Sequence, residues 1–404
     1  MYSAYQRACR HQKYRRLCIS AIPVRADASK RNRSSSGSLV LLLLKNVWRT
    51  GNVLLSRNLK IQPRYCPVML FFLTGRCNLR CRMCGVCDLK QGYDDEEELS
   101  TSEWKALISD AARNLGTTLA VISGGEALLR DDVFEIIHHA ESSGISIHLC
   151  TNALLLSEEK MARLIESGVS TVSFSVDGPV ADIHEHMRGS NTFGKLTDTI
   201  RRFRELAPQV NIGINFVITR HNFRYMTDML RFAESLGANQ IKFAPIHTNL
   251  LHKDKDFSDC RDLVFTEEDL PSLELEVQKA RKACLESGLI TTSGAFFDGI
   301  TRLYREPNHI KCYAGYAICA VSPSGYVAPC SNMDSGFNVR EHSISDIWRD
   351  PDFQRLRNKV HTCSSACWDT AYTELSLWLR PVPMVLNVAR NLRDIFFYFG
   401  IRKK

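Results

Sequence analysis

From Pro67 onward the chain alternates short apolar runs with helical stretches, and no other feature of the sequence constrains its fold as much. The apolar runs are Pro67–Leu73, Thr118–Ser123, Ser146–Cys150, Thr171–Val176, Val210–Ile218 and Gln240–Phe243. Between them lie Ser102–Asn114, Asp131–Ser142, Ser157–Ser167, Phe193–Leu206 and Asn222–Leu236, segments of 11 to 15 residues with helical periodicity. Strand-sized runs alternating with helices predict βα units and a parallel sheet. Right-handed crossovers curl six such units into a partial barrel or wind them into an open sheet. In both cases the working face lies at the carboxyl ends of the strands. The rhythm ends after the amphipathic stretch Glu267–Glu286, and residues 290–370 are turn-rich and Cys-containing. A small Cys-rich domain of a β-hairpin and helices is therefore expected over 290–375, after an α/β core over 65–289.

Composition narrows the class. Hydrophobic residues make up 44% of the 404 and charged residues 24%, as in globular proteins, so a disordered or collagen-like chain is excluded. Fifteen cysteines in so long a chain do not read as a small secreted disulfide scaffold. Reduced thiols, some of them on metal, are expected instead, and with them a cytoplasmic location.

The charge is uneven. Residues 1–64 hold 14 Lys/Arg against Asp27 alone, and residues 376–404 hold 6 against Asp394 alone. The body between them carries 42 acidic and 32 basic residues, which argues against a nucleic-acid groove. Both basic ends contain apolar runs, Leu39–Leu44 before Trp48 and Trp378–Ile401 with its Phe396–Phe399 cluster. Neither reaches the roughly 18–20 uninterrupted apolar residues of a membrane span. Leu43, Leu44, Val47, Trp48, Leu54 and Leu55 fall near helical spacing, leaving two readings of 1–64. One is a helix lying peripherally on anionic lipid at the cytoplasmic membrane face. The other is a terminal helix packed on the body. Residues 1–38, rich in Arg and Ser, fit a transit peptide or a disordered tail equally.

Directly after the first strand signal stands Cys77-Asn-Leu-Arg-Cys81-Arg-Met-Cys84. Three thiolates on one compact loop suit an iron–sulfur cluster or a Cys-rich zinc site. A four-iron cubane held by three cysteines keeps one iron open, as catalytic metal sites do. Val121-Ile-Ser-Gly124-Gly125-Glu126 follows on the second strand, pairing backbone that permits close approach with a carboxylate suited to an ammonium.

On these residues the chain resembles the radical S-adenosylmethionine (SAM) superfamily, a partial (β/α)6 barrel with a CxxxCxxC loop after its first strand. The resemblance covers about 65–265 and implies the following roles. Cys77, Cys81 and Cys84 would hold a [4Fe-4S] cluster, and Gly124, Gly125 and Glu126 would receive the SAM amino group. Thr151, Asn152, Ser175, Asp177 and Asn215, at the ends of the third to fifth strands, would contact ribose and methionine. Arg188 would meet the methionine carboxylate, and the backbone of Met83 would reach adenine. The implied reaction is reductive cleavage of SAM to a 5′-deoxyadenosyl radical that abstracts hydrogen from a substrate, fed by an electron donor of flavodoxin or ferredoxin type.

Downstream, Ile318–Val321 and Tyr326–Val327 read as a hairpin turning at Pro323-Ser-Gly325, with Cys312 and Cys330 at its open end. Cys363 and Cys367 stand one helical turn apart further on. This group resembles the twitch domain, the short form of SPASM, and implies a second, auxiliary [4Fe-4S] cluster on Cys312, Cys330, Cys363 and Cys367. Cys319 inside the hairpin reads as core packing, and Cys66, Cys87, Cys150, Cys260 and Cys284 as structural thiols. His184 and His186 read as surface or capping residues. A small-molecule, lipid or glycan substrate is expected ahead of the alternative, a peptide-modifying maturase. A non-catalytic iron–sulfur or zinc protein is the competing class, against which the GGE segment and Asp177 speak.

Overall fold

The computed structural model describes residues 36–86, 98–247, 258–306, 310–364, 367–380, 393–394 and 397–398, giving only the backbone course for 36–47. Residues 1–35, Cys87 and most of the C-terminal apolar run lie outside the described residues. The chain divides into two compact units, Met1–Trp48 and Arg49–Lys404. The described part of the first is the start of helix α1 (Ser36–Leu59).

The second unit is an α/β fold that follows the predicted rhythm. In order come β1 (Val68–Phe72), α2 (Thr101–Asn114), β2 (Leu119–Ser123), α3 (Val133–Ser142), β3 (Ser146–Thr151) and α4 (Glu158–Glu166). Then follow β4 (Thr171–Ser175), α5 (Ala181–Arg188), α6 (Phe193–Leu206), β5 (Asn211–Ile218), α7 (Met226–Ser235), β6 (Gln240–Pro245) and α8 (Leu270–Glu286). Local chemistry starts the helices. Ser100 accepts the Glu103 N–H at 3.3 Å while Glu103 accepts the Ser100 N–H at 2.7 Å, a capping box worth about 1 kcal/mol. The short helix α5 escapes a periodicity reading because only His184 and Met187 of its eight residues are buried.

Strands β1 to β6 pair in parallel, side by side in sequence order. The register places Phe72 opposite Ser123, Thr151 opposite Phe174 and Ser175 opposite Asn215, so the carboxyl ends finish close to one level. Successive strand residues face opposite sides. Met69, Phe71, Ile122 and Leu149 enter the main core under the helices, while Leu70, Phe72, Val121 and Cys150 face the inner side of the sheet.

The sheet does not stop at these six strands. β7 (Ile290–Thr291) adds in parallel beside β6 and leads into α9 (Gly294–Ile300). At the other edge β8 (Ile318–Val321) pairs in parallel with β1, Val68 opposite Ile318, and β9 (Val327–Ala328) returns antiparallel. The hairpin expected as part of a separate domain thus continues the barrel sheet and covers the open edge of β1, which would otherwise expose unpaired backbone groups. Helices α10 (Ile344–Arg349) and α11 (Pro351–Asn358) follow the hairpin, and α12 (Tyr372–Trp378) reaches the other edge of the sheet, where its Glu374 accepts from Ser293 N–H at 2.7 Å and Ser293 Oγ at 2.8 Å.

Within the second unit the end of α1 packs inward. Val53 is 1% exposed, in a cluster with Tyr313, Tyr316, Ala317 and Leu379. Arg57 donates to the Cys312 carbonyl at 2.7 Å and meets His361. Leu55 and Leu59 stay exposed. No described helix is long and apolar enough to cross a membrane.

Candidate functional site

The loop after β1 brings Cys77, Cys81 and Cys84 to the carboxyl end of the sheet. Its last turn is closed by the Cys84 N–H on the Cys81 carbonyl at 3.0 Å. The three thiols line a cavity of about 210 Å³ together with Met83, Gly124, Gly125, Glu126, Thr151, Asn152, Ser175 and Arg188. Five separate stretches of the sequence thus converge on one space. The Asn152 amide approaches Cys77 Sγ at 4.0 Å and the Arg188 guanidinium approaches Cys81 Sγ at 3.9 Å.

The two glycines have a reason the sequence did not reveal. Gly125 N–H donates to the Thr74 carbonyl at 3.0 Å and Glu126 N–H to the Arg76 carbonyl at 2.8 Å. A Cβ on Gly125 would collide with the Arg76 carbonyl, and Gly124 sits at φ +103°. Their smallness lets the second strand's loop bond to the backbone of the cysteine loop. Close approach to a ligand is not the only demand they answer.

Glu126 is 1% exposed and accepts three hydrogen bonds: from Thr151 Oγ1 at 2.8 Å, from Asn152 N–H at 2.8 Å and from Leu128 N–H at 3.2 Å. Burial nevertheless pushes its pKa upward, and those bonds only partly offset the push. A cation in the cavity would stabilise its ionised form. Thr151 and Asn152 therefore hold Glu126, and Asn152 also donates to Asn78 Oδ1 at 2.8 Å.

Asp177 lines neither this cavity nor the larger one described below. It is fully buried, accepts the Val217 N–H at 2.7 Å and pairs with Arg188. Burial works against charge on Arg188, yet Asp177 and the Cys81 and Cys84 sulfurs hold its pKa above the ordinary value. His184 is not a surface residue. It is 1% exposed, and its Nδ1 accepts the Asp177 N–H at 3.2 Å. Burial depresses its pKa to about 4, which leaves the ring neutral and able to accept.

The second cysteine group lines a cavity of about 510 Å³ on the inner side of the sheet. Cys312, Cys330, Cys363 and Cys367 all face it, as do Asn215, Lys242 and Asp369. Burial pushes Cys312 up to about 11 and Cys330 up to about 12, and raises Cys367 as well. Such thiols ionise when a metal supplies the compensating charge. Both donor sets are all-sulfur and suit iron–sulfur clusters. Among the described residues no group of three His, Cys, Asp or Glu side chains is placed to hold a single metal ion. Cys319 lies away from both cavities, its sulfur 3.6 Å from that of Cys66 in the core.

The two cavities meet. Ser123, Cys150, Ser175, Val217, Ala244 and His247 face both. Cys150 is thus a wall of the site, where the sequence reading gave a structural thiol. Strand alternation from His148, and its place just before Thr151, carried the signal. Arg57, Lys242 and Asp369 were also missed, because nothing local marks a residue that reaches the site from another segment.

A family model described as the radical SAM superfamily matches residues 71–233, and one described as an iron–sulfur cluster-binding domain, SPASM, matches 312–369. The PqqA peptide cyclase of Rhodopseudomonas palustris is 30% identical over 318 residues, covering 76% of this chain and 80% of that protein. The AdoMet-dependent heme synthase of Oleidesulfovibrio alaskensis is 29% identical over 347 residues, covering 80% and 84%. The crystal structure of Streptococcus suis SuiB bound to S-adenosylmethionine superposes with a TM-score of 0.60 at 17% identity, over 82% of this chain and 76% of that one. With three thiols and a GGE segment around one cavity and four thiols around its neighbour, the chain belongs to the radical SAM superfamily, as an enzyme of a [4Fe-4S] cluster and S-adenosylmethionine with an iron–sulfur SPASM domain.

Proposed function

We propose that this enzyme abstracts a hydrogen atom from an organic substrate held in the 510 Å³ cavity, between the two cysteine groups. The observation that carries the reading is the shared wall of Ser123, Cys150, Ser175, Val217, Ala244 and His247, which sets the cavity of Cys81 directly beside the cavity of Cys330. When bound, the cluster and S-adenosylmethionine supply a single electron and a 5′-deoxyadenosyl radical. The electron comes from an external donor, of flavodoxin or ferredoxin type in this reading.

The chain's own residues bind and orient. Cys77, Cys81 and Cys84 hold the cluster of the barrel, and Cys312, Cys330, Cys363 and Cys367 hold the auxiliary one. Glu126 takes the SAM ammonium, held by Thr151 and Asn152, while Gly124 and Gly125 give it room. Arg188 takes the methionine carboxylate and Asp177 positions Arg188. Met83 backbone meets adenine, and Ser175 and Asn215 line the path to the substrate. Apolar walls such as Leu70, Phe72 and Val121 limit water around the reacting carbon.

A volume of about 510 Å³ fits a small molecule, within the usual ~300–1,000 Å³ of such sites. A peptide side chain fits as well, and the likeness to a peptide cyclase favours that second reading. The test is anaerobic reconstitution with iron and sulfide, then dithionite and SAM. Formation of 5′-deoxyadenosine is expected; none from protein with both clusters assembled would defeat the proposal. Peripheral membrane contact through exposed Leu55 and Leu59 is part of the same reading. Co-sedimentation with anionic vesicles should fall in Leu55→Ser/Leu59→Ser, and unchanged binding would exclude that surface.

A further inference from the structure

The C-terminal segment carries an apolar run among basic residues. Where it is described it packs into the barrel. Asp394 is fully buried and Phe397 is 2% exposed. The Phe397 carbonyl accepts from Thr171 Oγ1 at 3.0 Å and from Asn211 Nδ2 at 2.6 Å. Thr171 and Asn211 open β4 and β5 and stand opposite each other in the register. One carbonyl therefore bridges two neighbouring strands at their amino ends, the end of the barrel away from the cysteine loop.

The rings continue inward from that bridge. Phe397 meets the edge of His148 at 6.4 Å between centroids, and Tyr398 lies 5.2 Å from it. His148 in turn hydrogen-bonds Ser173 Oγ at 2.7 Å, and burial depresses its pKa to about 3. The Lys242 ammonium stands 5.9 Å from the Tyr398 ring, and Lys242 lines the 510 Å³ cavity, as does Cys150, two residues along β3 from His148. The layers run from Phe397 and Tyr398, through His148 and Lys242, to the cavity.

Polar residues at the start of a barrel's strands attract water if that end is open. Here Thr171 and Ser173 are fully buried and His148 is 5% exposed. We propose that Phe397 and Tyr398 form an internal plug that seals the amino end of the barrel and backs the layer of His148 and Lys242 beneath the reaction cavity. Access is then left to the other end of the barrel, the side of the cysteine loop. The inference rests on the proposed use of that cavity for hydrogen abstraction, and it makes Phe397 and Tyr398 a support for the active site from behind.

A chemical probe tests it on the protein reconstituted and loaded with S-adenosylmethionine. In the wild type, His148 should resist diethyl pyrocarbonate, as mapped by peptide mass spectrometry. A chain ending at Leu392, and independently Phe397→Ala/Tyr398→Ala, should label His148 at least tenfold faster, with far-ultraviolet circular dichroism preserved. Continued protection of His148 in a folded variant overturns the plug. If the truncated chain does not fold, the double substitution decides alone; Phe397→Leu, which keeps the bulk, should stay protected. Wild-type protection together with no 5′-deoxyadenosine would remove the cavity's assigned use while leaving the seal. Normal 5′-deoxyadenosine formation with early labelling of the wild type would remove the seal alone.

Discussion

Single residues decide whether each cofactor is held. Cys81→Ala should abolish 5′-deoxyadenosine formation and lower the iron content by about four per chain, while the auxiliary absorbance remains. Iron analysis beside an activity assay separates this from general collapse. Asp177 acts at one remove. Asp177→Asn leaves the Arg188 guanidinium buried without its counter-charge, a change that typically costs ~3–5 kcal/mol. A lower Tm and weaker S-adenosylmethionine binding by calorimetry are expected, with the iron content of the cysteine loop unchanged. That Cys77 and Glu126 belong together was legible in the sequence because the cysteine loop and the GGE segment are local motifs, whereas Arg188, which lines the same cavity, was marked only by the family resemblance. His184, which supports Asp177, was not legible, since the same HEH spacing occurs on ordinary surface helices.

Elements carry the auxiliary site. Trp368 lies between Cys367 and Asp369, and its indole N–H donates to the Phe296 carbonyl of α9 at 2.8 Å. A Cβ on Gly299 would collide with that indole. Gly299→Ala should therefore cost roughly 1–3 kcal/mol by overpacking and loosen the loop that holds Cys367. The expected readouts are a lower Tm and loss of auxiliary iron with the barrel iron retained. Helix α2 offers a pH test. Its Glu103 is hydrogen-bonded and paired to Arg340, foremost among causes that depress its pKa to about 2. A depressed carboxylate stabilises the fold above its ordinary pKa and loses that contribution as pH falls toward 2. The Tm gap between wild type and Glu103→Gln should thus be full at pH 6 and shrink steadily between pH 4.5 and 2. A gap independent of pH would assign Glu103 a packing role instead.

At the scale of the whole molecule, the auxiliary region and the barrel share one sheet through β1 and β8, yet their thiols line different walls. Cys330→Ser should therefore remove the auxiliary cluster while substrate-free 5′-deoxyadenosine formation persists, and loss of both activities together would contradict two separate sites. The sequence by itself determined the βα rhythm, the cysteine loop after the first strand and the pairing of a hairpin with flanking cysteines. These are properties of neighbouring residues, governed by side-chain period and short-range spacing. Only the tertiary structure decided that the hairpin extends the barrel sheet, that Cys150 is a wall of the site and that Phe397 lies under the cavity. Each of those depends on strands and segments tens to hundreds of residues apart burying one another's surfaces, a choice made by packing of the whole chain and written in no local pattern.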